Sequence, residues 1–562
     1  MKSRRFKRNV LSIGTVAVLG FSVTACSNDT SSSNSSANTS SGSNVISMFA
    51  SPPTDIINLK TNWFTKYVEK KFNMQINWVQ VPNSDVTTKQ SLLLSSGDYP
   101  DVFWNGSFSN ADILKYAQQG ILVPLNSLIK QYAPNLQKAI QTVPGLKQDV
   151  TAPDGNIYAI PSYNYCFHCF WSSGMWIDTS LLKKYGLQMP TTTQEFTHVL
   201  QVFKQHGLIP LTGATDGYYS NPITFLMNAF IYDDGTDYFD INNGKVVFAP
   251  IQAQWKQGLE YIHSLYTQGL LDHQALSQNM DTAKREIAQG KVAVVPDGGS
   301  NSFIDNIADP KSGFLNWLAV PALKGPSGVQ YAAFSGNNPG NPTFAITNKA
   351  TKDQEIKMMK LLNFIWTPTG TQIADFGPEG KYWTKAKKGQ LGFTGKQALF
   401  NTNWSTFYAG NSQQNSGWDQ MGPFYQSEAW RNGAVAIPPF TPDGSGNQTL
   451  LQLETEQNYA GHQPKYVYPG DVWIPTNALQ QYSMEQTNID NFVSQWMSEF
   501  IDGSKSIDKD WNQYVQGVEN LGLAQYIKTS QSAMGQPFDT SSFTADPGAV
   551  KFLSSLKSNS TK

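Results

Sequence analysis

A regular alternation of apolar runs and amphipathic stretches constrains the fold of this chain more than any other feature. The runs at 45–50, 74–81 and 101–104 have the length and composition of buried strands. Apolar residues recur at helical spacing between and after them, in 55–72, 84–97 and 110–120. Strands that alternate with helices favour a mostly parallel sheet, because a parallel neighbour is reached through a helical crossover. The sequence therefore predicts an α/β fold.

A second α/β region follows the first. Thr192 and Glu195 have the spacing of a helix capping box, and Asn243-Gly244 separates two strand-like arms as in a hairpin. A strand at 291–296 runs into a glycine loop. After residue 380 the chain becomes rich in loops and aromatic residues, and helical spacing returns at about 479–530. With 562 residues the chain is long enough for two lobes with substantial cores.

The N-terminus has the pattern of an export signal. A basic start is followed by about thirteen apolar or small residues, too few for a comfortable membrane span. Residues Val23–Cys26 resemble a bacterial lipobox, which implies cleavage before Cys26 and a diacylglycerol on its sulfur. Residues 1–25 are thus predicted to be a signal peptide and 26–44 a lipidated, disordered Ser/Asn tether. The alternative is an ordinary signal peptide followed by a cysteine that carries no lipid.

Composition narrows the class of ligand. The net charge of −1 gives no electrostatic reason to expect nucleic acid as a partner. Aromatic residues make up 12% of the chain and include 15 tryptophans. Rings of this kind pack in cores, and they also serve as flat stacking surfaces for ligands. Composition alone leaves both interpretations open.

Seven stretches of the chain, taken in order, resemble one protein family. They are SSGDYPDVFW, DGNIYAIPSYN, MWIDTSLLKKYGLQMPTTTQEF, EYIHSLYTQGLLD, GKVAVVPDG, FGPEGKYWT and FIDGSKSIDKDWNQYVQGVENLGL. Through them the chain resembles family 1 of the bacterial extracellular solute-binding proteins, most of all the large lipoprotein branch that binds oligosaccharides for ABC importers. The resemblance implies a periplasmic-binding-protein-like fold, with two α/β lobes of mostly parallel sheets around a ligand cleft and hinge crossovers between them.

The resemblance also implies a domain division and a function. Residues 45–162 with about 328–370 are expected to form lobe 1, and 163–327 with about 371–562 to form lobe 2. The chain would capture an oligosaccharide or related glycan by cleft closure and deliver it to ABC permease subunits. It would act as a monomer, held by its lipid on the outer face of the cytoplasmic membrane. The alternatives are a receptor for a peptide or other small molecule, a sensory lipoprotein, or an extracellular glycosidase.

Candidate ligand-binding residues lie at strand ends and in polar loops rich in aromatic side chains. Ligands of open α/β sheets bind beyond the carboxyl ends of the strands. Sugar-binding sites combine aromatic rings, which stack on the sugar, with amides and carboxylates that bind its hydroxyl groups. The predicted set is Trp104, Asn105, Tyr163, Trp171, Trp176, Tyr219, Asp297, Asn337, Trp383, Trp404, Trp418 and Trp430. For each tryptophan the alternative is packing in the core, and for Asp297 it is a turn or a helix cap.

Cys166 and Cys169 form a C-x-x-C pair whose role the sequence leaves open. A zinc site requires a second pair of ligands at motif spacing, and the sequence has no recognisable second pair. A disulfide is compatible with an exported protein. The segment at 203–213 lacks the carboxylates of the calcium loop found in alginate-binding relatives, so no calcium is predicted there. No common catalytic motif is present, and the sequence predicts a binding protein without cofactor or metal.

Overall fold

The computed structural model of the chain describes residues 44–336, 339–403, 413–442 and 444–556. The strands are β1 (Val45–Ala50), β2 (Gln75–Gln80), β3 (Val102–Phe103), β4 (Ala159–Asn164), β5 (Met175–Asp178), β6 (Phe239–Asn242), β7 (Lys245–Phe248), β8 (Val294–Pro296), β9 (Trp317–Ala319), β10 (Pro339–Ile346), β11 (Trp383–Lys385), β12 (Phe400–Thr402), β13 (Tyr425–Gln426), β14 (Tyr466–Val467) and β15 (Phe538–Asp539). The α-helices are Trp63–Lys71, Val86–Ser96, Asn110–Gln118, Asn126–Tyr132, Pro134–Thr142, Leu146–Val150, Thr179–Tyr185, Thr193–Gln205, Pro222–Met227, Ala253–Thr267, Met280–Ala288, Ser300–Phe303, Lys352–Ile365, Pro368–Phe376, Glu428–Asn432, Asn447–Asn458, Thr476–Asp502, Ile507–Asn520, Leu523–Met534 and Pro547–Ser555.

The first sheet has six strands in the order β13-β4-β10-β3-β1-β2. β1 runs parallel to β2 and to β3, whereas β10 runs antiparallel to both β3 and β4. The parallel part follows from the strand–helix alternation, because the helices Trp63–Lys71 and Val86–Ser96 each form a crossover. This sheet confirms the predicted α/β class.

A second sheet has the order β8-β5-β9, and both of its pairings are antiparallel. Parallel bridges accompany it, from Ile209 to Val292 and from Leu211 to Leu271. β5 enters soon after β4 of the first sheet without a helical crossover longer than the turn at Phe167–Trp171. The chain therefore passes from the first sheet to the second through a short connection.

Buried apolar side chains form separate clusters around the two sheets. One cluster contains residues of 167–334 and 450–543, and a second contains residues of 46–163 and 344–421. Ala374, Trp418 and Met421 belong to the second cluster, and β13 pairs with β4. The division of the chain into lobes stays a prediction. These contacts associate the segment 374–426 with the first sheet, whereas the sequence placed it with residues 163–327.

Local signals in the sequence correspond to observed element ends. The Thr192 hydroxyl accepts a hydrogen bond from the Glu195 N–H at 3.1 Å, and the Glu195 carboxylate accepts one from the Thr192 N–H at 3.2 Å. Asn243 and Gly244 have φ of 51° and 76° between β6 and β7, as a two-residue hairpin turn requires. The first helix begins later than its periodicity predicts, because Asn62 caps it immediately before Trp63.

Within the described part of the chain, no helix has both the length and the apolar character needed to cross a bilayer.

Candidate functional site

Asp297 organises the loop that leaves the carboxyl end of β8. Its side chain is fully buried, and its Oδ1 accepts a hydrogen bond from the Gly299 N–H at 3.0 Å. The Asp297 backbone carbonyl accepts a 2.8 Å hydrogen bond from Trp176 Nε1. Burial raises the pKa of the Asp297 carboxyl to about 7. Two residues of the predicted set, Trp176 and Asp297, are therefore brought together at one strand edge.

Two exposed tyrosines lie beside this loop. The exposed fractions are 45% for Tyr218 and 37% for Tyr219, and their ring centroids are 5.0 Å apart in an edge-on arrangement. Tyr219 has φ of 60°, a left-handed conformation that is unusual for an aromatic residue and typical of functional or strained positions. The Gly298 N–H donates to the Tyr218 carbonyl at 2.9 Å, and a Cβ on Gly298 would lie 2.2 Å from the Tyr218 ring. The Tyr218 hydroxyl is 3.2 Å from Ser172 Oγ.

A polar cavity of about 250 Å³ opens next to Tyr219. Its lining includes Asp216, Asn221, Asp233 and Tyr238, and no lysine or arginine is among the described residues that line it. Asp233 is 2% exposed, and burial, followed by the charge of Asp234, raises the pKa of its carboxyl to about 7. Asp216 accepts a 2.6 Å hydrogen bond from the Met280 N–H, which fixes its carboxylate in the wall.

The carboxyl end of β3 has its polar groups engaged by the protein. Trp104 is fully buried, with its Nε1 donating to the Met421 carbonyl at 3.2 Å and its ring edge-on to Trp418 at 5.2 Å. The Asn105 amide donates to the Ser51 carbonyl at 2.7 Å and accepts from the Gly422 N–H at 3.2 Å. The Ser51 hydroxyl is buried and has no hydrogen-bond partner among the described residues. Ser51 Oγ is therefore a buried polar atom at this edge whose hydrogen-bonding capacity the described residues leave unused.

The other predicted aromatic residues lie in packed clusters. Tyr163, Trp171, Trp176, Trp383, Trp418 and Trp430 are each between 1% and 4% exposed. In this conformation such side chains present no open ring face to a ligand, and their binding role stays a prediction. Cys26, Asn337 and Trp404 lie outside the described residues. Of the predicted aromatic residues that are described, Tyr219 has a solvent-exposed ring.

Cys166 and Cys169 are joined by a disulfide. With His168 they are the one group of three closely spaced His, Cys, Asp or Glu side chains found in the described ranges. Both sulfurs are bonded to each other, so neither is a thiolate able to bind a metal. Burial, followed by the charge of Arg431, lowers the pKa of His168 to about 3, so the imidazole is neutral at physiological pH.

Sequence reasoning missed Tyr218, Ser172 and Ser51. Tyr218 and Tyr219 are adjacent in the loop TDGYYSN at 215–221, and the neighbouring glycine and asparagine are a signal for a tight turn. Nothing local to the sequence indicates that Ser172 meets Tyr218, because the two residues are 46 positions apart.

A fold built on two main sheets, with polar and aromatic loops at the strand ends and a cavity beside them, is the architecture of a ligand-binding receptor. The chain belongs to the bacterial extracellular solute-binding proteins, since the model of that family matches residues 58–372, more than half of its length.

Three proteins illustrate the similarity. The fructooligosaccharide ABC transporter substrate-binding protein FusA of Streptococcus pneumoniae is 24% identical over 506 residues, covering 87% of this chain and 89% of FusA. The solved structure of FusA in complex with kestose has a TM-score of 0.69 at 22% identity, covering 87% and 99% of the two chains. An HMO-binding, ABC-transporter-associated solute-binding protein of Bifidobacterium longum infantis has a TM-score of 0.69 at 19% identity, covering 88% and 99%. Lipoprotein LipO of Bacillus subtilis is 25% identical over 287 residues, covering 48% and 54%.

The similarity to the two solved structures confirms the periplasmic-binding-protein-like fold.

Proposed function

We propose that this chain is the lipid-anchored substrate-binding protein of an ABC importer for a neutral oligosaccharide. Family membership and the similarity to FusA support capture of an oligosaccharide for such an importer. The lipid on Cys26, the tether at 26–44 and delivery to a permease are the further parts of the proposal. Exposure of the protein on the outer face of the membrane follows from that anchor, and the similarity to LipO supports it.

One observation supports the proposed ligand class more than any other: Tyr219 is exposed and lines a polar cavity, and the exposed ring of Tyr218 lies next to it. A tyrosine ring offers an apolar face to a sugar ring, and the carboxylates and amide of the cavity offer acceptors for its hydroxyl groups. The Asp216 carboxylate would repel a uronate or sialylated glycan, and no lysine or arginine of the described lining would offset that repulsion. The cavity therefore favours a neutral glycan.

The proposed mechanism is closure of two lobes around the ligand. The first lobe would be built on the six-stranded sheet and would offer the strand edge at Ser51 and Asn105. The second lobe would be built on the β8-β5-β9 sheet and would offer Tyr218, Tyr219 and the cavity. A ligand that contacts both edges binds the closed form more tightly than the open form and shifts the population toward it.

A thermal-shift panel with direct calorimetry tests the ligand class. The panel contains kestose, a neutral milk-type tetrasaccharide, an alginate oligouronate and a tetrapeptide. We expect a neutral glycan to stabilise the protein by about 2.7 kcal/mol at a hundredfold excess over Kd, and the uronate and the peptide to have no effect. Stabilisation by the peptide or the uronate alone would refute the proposal.

The same incubations test the proposed lack of enzymatic activity. We expect the bound glycan to be recovered intact, with no increase in reducing ends over the time of the experiment. Turnover that persists in repurified protein would identify a glycosidase instead. A Tyr218→Ala, Tyr219→Ala variant that binds the glycan with unchanged affinity would place the ligand elsewhere.

A further inference from the structure

We propose that the Cys166–Cys169 disulfide positions the ligand surface, because it fixes a turn that holds Ser172 and, through Ser172, the ring of Tyr218. The inference rests on the proposed function in one respect, namely that Tyr218 belongs to the surface that receives the glycan. The disulfide is 49 residues or more away from Tyr218 in sequence, and the link between them is made by hydrogen bonds.

The disulfide closes a turn that directly follows the first sheet. β4 ends at Asn164, whose carbonyl accepts a hydrogen bond from the Cys166 N–H at 2.8 Å. The Cys169 N–H donates to the Cys166 carbonyl, also at 2.8 Å. The preceding residue, Tyr165, donates its N–H to the Gln426 carbonyl of β13 at 2.8 Å. The turn is thus anchored to the first sheet on one side and cross-linked by its own sulfurs.

Ser172 carries this constraint to Tyr218. Ser172 is 1% exposed, and its hydroxyl donates to the Cys169 carbonyl at 2.7 Å. That bond uses the single hydroxyl hydrogen of Ser172, so the 3.2 Å contact with Tyr218 has the phenol as donor and Ser172 Oγ as acceptor. The orientation of the Tyr218 ring therefore depends on where the Cys169 carbonyl is held.

The two sides of the turn differ in burial, and the Cys169 end of the disulfide lies on the less buried side. Phe167 and Phe170 are buried at 8% and 3% exposure and fix the inner side of the turn, whereas Cys169 is partly exposed. Reduction by a phosphine breaks the S–S bond with two electrons. The phosphine supplies the electrons and becomes its oxide by taking the oxygen of one water molecule, and the two protons of that water go to the two sulfurs. The outer side of the turn then loses its covalent constraint, and the Cys169 carbonyl is free to move away from Ser172.

Hydrogen–deuterium exchange of the mature chain tests the inference without any ligand. On reduction of the wild type we expect the peptide that covers 213–222 to exchange at least about threefold faster, while the helix Ala253–Thr267 is unchanged. Cys166→Ser, Cys169→Ser should show the same change without reductant. Ser172→Ala should exchange faster at 213–222 with the disulfide intact. Reduction of that variant should add little, because both changes break the same link, the hydrogen bonds from the Cys169 carbonyl through Ser172 to Tyr218.

A matched control is available in Ser264, whose hydroxyl donates to the carbonyl three residues earlier at 2.9 Å, as that of Ser172 does. Ser264→Ala should leave exchange at 213–222 unchanged. An unchanged rate at 213–222 in reduced wild type would overturn the inference. A uniform rise in exchange rate that includes the helix Ala253–Thr267 would also overturn it, since it would indicate a role in overall stability. Reduced wild type distinguishes these outcomes even if the double cysteine variant fails to fold.

Glycan affinity gives the second readout. It is measured with kestose or, if kestose does not bind, with the panel glycan that gives the largest thermal shift. Loss of the hydrogen-bonded link from Cys169 through Ser172 to Tyr218 should raise the Kd for the glycan by about five- to tenfold, both in reduced protein and in Ser172→Ala. Ser264→Ala should keep the wild-type Kd. Unchanged affinity in both would overturn the positioning role. If no glycan binds the oxidised wild type, the proposed function fails, and the exchange experiment still decides whether the disulfide positions Tyr218.

Discussion

The indole of Trp473 donates a 3.1 Å hydrogen bond from its Nε1 to the backbone carbonyl of Asp149. The bond joins the helix Leu146–Val150 to the segment that leads into the helix Thr476–Asp502. Leu146 and Val150 belong to the apolar cluster around the first sheet. Asp471 lies two residues before Trp473. Burial, followed by the charge of Asp471, raises the pKa of the Asp149 carboxyl to about 8. The charge of Asp471, from a distant part of the chain, therefore disfavours ionisation of Asp149.

This pair predicts a pH-dependent stability. The Asp149 carboxyl has an ordinary pKa of 3.8 in the unfolded chain and about 8 in the folded one, so the folded state binds more protons between these values. The free energy of unfolding contributed by this group then falls as pH rises from about 4 to about 8. Asp149→Asn should therefore stabilise the protein more at pH 8 than at pH 5, by on the order of 1 kcal/mol, as measured by urea unfolding.

Asp154 is the matched control for this prediction. Burial opposes the shift, but hydrogen bonds from Tyr158 and Asn156 hold the pKa of its carboxyl below the ordinary value. The stability that a lowered pKa contributes is fully present above the unfolded value of 3.8. Asp154→Asn should thus change the free energy of unfolding equally at pH 5 and pH 8. Equal effects of Asp149→Asn at the two pH values would contradict the prediction.

Tyr219 should show opposite effects on stability and on binding. Its left-handed backbone, with φ of 60°, costs an aromatic residue about 1 kcal/mol or more, which glycine avoids at some cost in chain entropy. Tyr219→Gly is expected to leave the free energy of unfolding unchanged or raise it by up to about 1 kcal/mol. The lost ring should weaken glycan binding about two- to tenfold.

Calorimetry and thermal unfolding on the same Tyr219→Gly sample would separate the two effects. Asn73→Gly is the control, because Asn73 also has a positive φ, of 48°, in the turn after the helix Trp63–Lys71. It should leave the affinity unchanged. A loss of stability in Tyr219→Gly that parallels its loss of binding would show that the ring has a packing role.

Gly298 should be intolerant of a side chain because of Tyr218. A Cβ at this position would lie 2.2 Å from the Tyr218 ring, so the ring must swing away from Ser172. Gly298→Ala is expected to weaken glycan binding about fivefold and to cost less than about 1 kcal/mol of stability, because the partly exposed ring has room to move. In a Tyr218→Ala background the same substitution should have no further effect on affinity. Additive losses would refute this account.

The sequence predicted those features that depend on neighbouring residues. The helix Thr193–Gln205 begins at the capping box of Thr192 and Glu195, and the hairpin turns at Asn243-Gly244. Each signal acts within four residues, so the physics is local. The α/β class followed from the order of such elements. Pairing of β10 with β3 and β4 could not be predicted in this way, because the paired residues are 176 positions or more apart in sequence.

The candidate site was harder to predict because burial depends on distant contacts. Trp104 and Asn105 were placed correctly at a strand end, but their side chains pack on Trp418 and bond to Gly422, each more than three hundred residues away. A polar local sequence does not show whether a tryptophan faces solvent. The feature that did identify an exposed ring was the turn-forming loop around Tyr219.

Trp383 is a tryptophan in a polar local sequence, and its substitution tests whether such a ring packs in the core or contacts the ligand. The sequence placed it among ligand-binding residues, yet it is 4% exposed, donates from Nε1 to the Gly377 carbonyl at 2.9 Å and packs edge-on against Phe400. Trp383→Ala should therefore cost about 3–5 kcal/mol of stability. Trp63→Ala, at a ring that is 37% exposed and stacked on Tyr67, should cost about 1 kcal/mol. If Trp383→Ala unfolded at the wild-type urea concentration and lost only glycan affinity, the ring would be a ligand contact after all.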